Sequence, residues 1–178
     1  RVRNVAFASK QCAVGLKFLR KYNSDMNVSL VDTKELRKTN KLVQAWSSLA
    51  HDSDNAVSTE QLLEELPPDL KSHCAWGTVS AAQRSASVEN LGTEIESCLT
   101  SNNENDSEDR KFAGIVVGMM SELGNGLRFD KKPPFDDGAF RSQDGRPVNY
   151  RVAAVPTRVQ GDEHCGWLAV GDWTYDIT

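Results

Sequence analysis

Residues that together perform nucleophilic chemistry occur near both ends of the chain. Cys12 stands at the start of an amphipathic run, QCAVGLKFLRKY, and His164 begins the apolar run HCGWLAV. Unpaired backbone N–H groups at the start of a helix stabilise a thiolate, and a nearby imidazolium lowers the pKa of the thiol further. We therefore take Cys12 as the candidate nucleophile and His164 as its candidate general base.

A third residue, Asp176, completes this site if the C-terminal segment folds as a hairpin. Gly171-Asp172 has the composition of a tight turn between two β-leaning runs. Two strands joined by a tight turn bring facing residues side by side, so the Asp176 carboxylate would accept the Nδ1 proton of His164. Backbone N–H groups at the helix start, or the Gln11 side chain, would hold an oxyanion.

The order of these features resembles that of the papain-like and transglutaminase-like cysteine enzymes. The matching segments are QCAVGLKFLRKY, the strand NVSLVD, the His-headed strand HCGWLAVG and the Asp-bearing strand TYDIT. The resemblance implies that Cys12 is the nucleophile, His164 the base and Asp176 the orienting acid. It also implies attack on an amide or acyl group of a protein or peptide, as in proteolysis, deamidation or transamidation.

Other interpretations of the cysteines remain open. Cys74, in the run HCAW, follows Pro67-Pro68 and is an alternative nucleophile if it also begins a helix. Cys12 lies on the apolar face of its own helix, where buried cysteines usually act as small hydrophobic residues. His73-Cys74 and His164-Cys165 are adjacent pairs whose side chains would point to opposite faces of a strand, so we predict no zinc site and no cofactor.

Two further function classes fit parts of the sequence. The run VAFA, a helix and SLVD ending in Asp32 imitate a dinucleotide-binding βαβ unit, yet the loop ASKQCAVG offers only Gly15 where G-x-G-x-x-G is needed. A non-catalytic protein-interaction module is the second alternative. It would use the segments 34–123 and 124–146 and predicts no reactive thiol.

Composition excludes some partners. The 178 residues are 39% hydrophobic and carry a formal net charge of −4, with basic and acidic residues interspersed. Because phosphate neutralisation needs clustered cations, we expect no nucleic-acid surface. No apolar run approaches the ~20 residues that a membrane span requires.

The pattern along the chain predicts one α+β domain over residues 1–178, with a helical portion packed on a C-terminal antiparallel β-meander. We expect residues 34–123 to be largely helical, with a capping box at Ser58 and Gln61 and an exposed acidic loop at 100–110. Residues 131–145 should form a long loop. Residues 146–178 should form three strands, VNYRVAAVPTRV, EHCGWLAV and WTYDIT.

Overall fold

Helices cover an antiparallel sheet in the computed structural model, which describes residues 38–52, 57–80, 85–127, 133–159 and 165–175. Within these ranges the helices are α1 Lys38–Asp52, α2 Thr59–Glu65, α3 Pro68–Lys71, α4 Thr93–Thr100, a 3-10 turn Glu104–Asp106 and α5 Ser107–Asn125. The strands are β1 Cys74–Ser80, β2 Ser85–Ala86, β3 Asn90–Leu91, β4 Phe135–Arg141, β5 Pro147–Arg158 and β6 Cys165–Tyr175. The α+β prediction is confirmed.

The strands form one sheet in the order β2-β1-β6-β5-β4, with β3 also pairing with β1. Every pairing between these strands is antiparallel. The successive strands β4, β5 and β6 make the C-terminal meander, and β5 pairs with β6 from Val148↔Tyr175 to Arg158↔Cys165. The described strands therefore contain no parallel pair of the kind that a dinucleotide-binding unit requires.

Side chains on the central strands alternate between two apolar cores because successive residues of a strand point to opposite faces. On one face Val152 and Trp167 pack with Val116 and Met120 of α5. On the other face, Leu168 and Val170 of β6 join the buried Leu42, Leu62 and Leu70 of the N-terminal helices. A sheet covered on both faces explains why β5 and β6 are apolar over continuous runs rather than alternately polar.

Local sequence signals account for the helix ends. The Ser58 hydroxyl accepts the N–H of Gln61 at 3.3 Å, which confirms the Ser58 half of the predicted capping box at α2. That hydroxyl also donates to the Glu60 carboxylate at 2.8 Å, so Glu60 contributes to the cap. The helix ends before Pro67, and Pro68 opens α3, where its missing N–H has no cost.

The predicted turn at Gly171-Asp172 is wrong. Both residues lie inside β6, where Gly171 pairs with Val152 and Asp172 pairs with Arg151. Glycine is needed at 171 for packing, because a Cβ there would collide with the Val116 side chain and lie 2.6 Å from Met120 Cε. The third strand of the meander is β4, which occupies part of the predicted loop 131–145.

The described part of residues 34–123 is largely helical, although β1, β2 and β3 also lie there. Another expectation needs correction. The segment 100–110 is not one exposed loop. It contains the turn Glu104–Asp106, and α5 begins at Ser107. Acidic side chains are favoured at a helix N-terminus, so Glu108 and Asp109 fit the first turn of α5 rather than a loop.

Close packing of β1 leads to a first prediction. A Cβ at Gly77 would collide with the backbone carbonyl of Ser87, whereas one at Gly118 of α5 would meet nothing within 4 Å. We expect Gly77→Ala to lower the free energy of unfolding by about 1–3 kcal/mol through overpacking. The matched control Gly118→Ala should leave it unchanged or raise it by up to about 1 kcal/mol. Urea denaturation measures both, and equal effects would contradict the strand packing.

Candidate functional site

The four residues of the leading site lie outside the described residues, namely Gln11, Cys12, His164 and Asp176. Along the chain, His164 directly precedes β6 and Asp176 directly follows it. An eleven-residue strand separates its own ends by about 33 Å, at ~3.3 Å per residue. The hairpin that was to bring Asp176 beside His164 is therefore not formed within β6, and the geometric reason for pairing these two residues is lost.

Cys74, the alternative nucleophile, is placed differently from the prediction. It begins strand β1 rather than a helix, and it is fully buried. Its Sγ donates to the backbone carbonyl of Leu70 at 3.2 Å. Burial raises the pKa of the Cys74 thiol to about 12, and Lys71 lowers it only slightly. A thiol so placed stays protonated at neutral pH, so nothing in its surroundings activates it as a nucleophile.

The two other described cysteines differ from each other. Cys98 on α4 is half-buried, and its pKa is raised by burial first and then by Glu94, Asp109 and Asp106. Cys165 is exposed at the start of β6, opposite Arg158 of β5. Cys165 is thus the accessible thiol among the described cysteines.

A polar cluster that the sequence did not reveal joins α1, the start of β1 and the middle of β6. We call Lys38, His73 and Asp172 the Asp172 cluster. Lys38 Nζ donates to Asp172 Oδ2 at 2.7 Å and lies 3.4 Å from His73 Nε2, and His73 Nε2 is 3.9 Å from Asp172 Oδ1. The Asp172 side chain is only 10% exposed. A carboxylate at this depth needs such a partner, because burying an unpaired charge is costly.

The contacts of the two His73 ring nitrogens differ. Nδ1 lies 3.0 Å from the backbone oxygen of Asp69, and a carbonyl oxygen can only accept, so Nδ1 is the donor there. Nε2 faces Lys38 Nζ at 3.4 Å and Asp172 Oδ1 at 3.9 Å. The Ser72 hydroxyl donates to the same carbonyl at 2.9 Å, so His73 is not oriented as a base towards that hydroxyl.

Charges continue across the sheet from the Asp172 cluster. Arg151 stands opposite Asp172 on one side and opposite Asp137 of β4 on the other. Arg151 Nη2 lies 3.7 Å from Asp137 Oδ2. Charges of alternating sign thus follow one another across β6, β5 and β4 on the α1 side of the sheet. This arrangement neutralises buried charge and fixes α1 on the sheet, and we assign it a structural role.

One sequence signal could have located the Asp172 cluster. Aspartate is depleted in strands, and Asp172 lies in a β-leaning run that also contains Trp167 and Val170. An acidic residue there requires a cationic partner if the strand is continuous. The sequence did not indicate which of its 21 basic residues that partner is.

The described residues include no group of three or more His, Cys, Asp or Glu side chains that could hold a metal ion. Within the same residues, no helix has the length and apolar character needed to cross a membrane. No protein-family model, curated protein or solved structure matches this chain.

The Asp172 cluster gives a second prediction. Asp172→Asn removes the carboxylate from a mostly buried Lys38, and we expect the free energy of unfolding to fall by about 2 kcal/mol. The control is Asp144→Asn, in the exposed pair between Asp144 Oδ2 and Arg146 Nε. This control should change stability little, because solvent screens an exposed pair. Urea denaturation of both variants tests the prediction. If Asp172→Asn left the free energy of unfolding unchanged, the carboxylate would not be buried as described.

Proposed function

We propose that the chain is a cysteine-dependent hydrolase or acyltransferase that acts on an amide or acyl group of a protein or peptide. The proposal assigns the nucleophile to Cys12, the general base to His164 and an oxyanion contact to Gln11. The observation that carries it is the position of His164 in the chain, one residue before the central strand of an α+β sheet. Catalytic residues are commonly held on loops next to such a rigid frame.

Several contacts hold the end of β6 that follows His164 in the sequence. Cys165 pairs with Arg158 of β5, and the next residue, Gly166, pairs with both Thr157 and Thr78. The hydroxyls of Thr59 and Thr157 lie 2.6 Å apart at this end of the sheet and are buried between α2 and β5. These contacts fix the first residues of β6, to which His164 is joined in sequence.

The described cysteines support Cys12 by being poor alternatives. Cys74 and Cys98 have raised pKa values with burial as the main cause. Cys165 is exposed, so labelling must distinguish its reactivity from that of Cys12. Cys12 is the remaining cysteine, and its sequence context predicts a helix N-terminus.

The chemistry assigned to these residues balances without a cofactor. His164 removes the thiol proton, and the Cys12 thiolate attacks the carbonyl carbon to give a tetrahedral oxyanion. Collapse expels the leaving group, which takes the proton back from His164, and leaves an acyl-thioester. Water then completes hydrolysis, or an amine completes transfer, with His164 accepting the proton of that second nucleophile. Gln11 or backbone N–H groups would hold the oxyanion.

Asp176 keeps the role of orienting acid by resemblance alone, because the hairpin that supported it is replaced by a continuous β6. A separate variant, Asp176→Asn, therefore tests that role. From the length of β6 we expect it to change reactivity far less than His164→Ala does. A loss as large as that of His164→Ala would show that the end of β6 reaches His164 in the active protein.

Thiol labelling tests the assignment of the nucleophile. We expect one cysteine, Cys12, to react with iodoacetamide well below the ordinary thiol pKa of ~8.5, and His164→Ala to move that reactivity towards the ordinary range. Cys165 should label at a rate set by its exposure, and Cys74 only after unfolding. Peptide mapping by mass spectrometry after labelling at several pH values identifies each site.

The control for this experiment is Cys165→Ser, which should leave the early-labelling site unchanged. Thermal unfolding of His164→Ala checks that its altered reactivity does not come from loss of the fold. If Cys12 reacts no faster than Cys165 at every pH tested, the enzyme proposal fails.

A non-catalytic protein-interaction module is the second candidate. It predicts no reactive thiol, and Cys74 and Cys98 fit that expectation because burial raises the pKa of each thiol. The two hypotheses therefore differ over Cys12. The same labelling experiment separates the two candidates. If the labelling rate of every cysteine followed its solvent exposure alone, the result would favour the interaction module.

A further inference from the structure

Strand β4 has a described neighbour on one side only, β5. Hydrogen bonds at both ends show which residues face that neighbour. Ser142 N donates to the Arg146 carbonyl at 2.9 Å, and Ala154 N donates to the Pro134 carbonyl at 3.2 Å. Because inward and outward positions alternate in an antiparallel pair, the even-numbered residues of β4 bond to β5. The odd-numbered residues turn their N–H and C=O groups to the outer edge. They are Phe135, Asp137, Ala139 and Arg141.

The outer edge of β4 also carries an exposed aromatic side chain. Phe135 is 60% exposed, compared with 38% for Val88, and these two are the exposed large hydrophobic residues of the described chain. Phe135, Asp137 and Arg141 share one face of the strand, since they are separated by even numbers of residues. An edge with an aromatic residue at one end and a cation at the other can complement a second strand of the same sequence.

We propose that β4 pairs with β4 of a second copy of this chain, in antiparallel register about a two-fold axis at Gly138. This register places Phe135 of one copy opposite Arg141 of the other, and Asp137 opposite Ala139. The guanidinium of Arg141 then covers the exposed Phe135 ring and lies diagonal to Asp137 of the second copy. All four outward residues of each copy find backbone partners, and the two sheets become continuous.

Charge complementarity selects a second copy over other extended partners. Charges on an edge strand ordinarily discourage pairing with unrelated strands. Here Asp137 lies in the middle of the strand and Arg141 at its end, so the reversed copy brings an opposite charge near each of them. In a two-fold interface each such contact occurs twice, so a self-complementary strand gains each favourable contact twice. An entirely basic or entirely acidic peptide would leave Arg141 or Asp137 opposed by like charge.

The mass in solution tests this proposal. Size-exclusion chromatography with light scattering should give a concentration-dependent mass that rises from the monomer value of 19.7 kDa towards twice that value. Phe135→Lys places a lysine opposite Arg141 and should weaken the dimer about tenfold or more. The matched control Val88→Lys changes the other exposed hydrophobic residue, away from β4, and should leave the dimer intact.

A backbone variant separates strand pairing from other modes of association. Ala139→Pro removes an outward N–H and leaves the bonds to β5 in place, as proline on an edge strand does. We expect it to abolish the dimer while circular dichroism stays native. A native chain that remains monomeric at high micromolar concentration would overturn the proposal. So would a dimer that neither Phe135→Lys nor Ala139→Pro weakens.

Discussion

The whole described fold depends on one constraint, the burial of β6 on both faces of the sheet. Its residues must satisfy two cores at once, so Trp167 and Ala169 fill the side under α5, and Leu168 and Val170 fill the side under the N-terminal helices. Pairing with β5 along the full length of β6 satisfies its backbone on one side, and β1 satisfies the part from Gly166 to Val170 on the other. A strand in this position cannot turn in its middle without exposing both cores.

This constraint explains why a charged residue is tolerated at 172. Once β6 continues past Val170, Asp172 must enter the layer between the sheet and α1, where its carboxylate needs a cation. Lys38 supplies one at 2.7 Å, from the first turn of α1. The middle of the same helix is held by Trp46, whose Nε1 donates to the Pro156 carbonyl at 2.8 Å. Two polar contacts thus fix the angle of α1 on an otherwise apolar surface. Dispersion and apolar burial alone would specify that angle less sharply.

Sequence reasoning succeeded where one local signal had one physical meaning. The Ser58 cap follows from such a signal, and α5 begins inside the predicted loop 100–110 because acidic residues fit its first turn. Sequence reasoning failed at Gly171-Asp172, because the same two residues fit either a turn or a closely packed strand. Glycine followed by aspartate is typical of a turn, but glycine is also what a strand needs where helix side chains approach closely. Only the positions of Val116 and Met120 distinguish the two cases, and these are long-range contacts.

The continuous β6 also constrains the proposed catalytic residues. With β6 continuous, an acid that orients His164 has to come from elements at the Cys165 end of the strand, where β5 ends at Arg158 and β1 ends at Ser80. Asp172 does not qualify, because seven positions separate it from Cys165, about 23 Å along the strand, and its carboxylate already binds Lys38. Cysteine enzymes need the thiolate and the imidazole more than a third group, since the imidazolium itself stabilises the thiolate. The catalytic proposal therefore depends on whether Cys12 meets His164, and it can survive without Asp176.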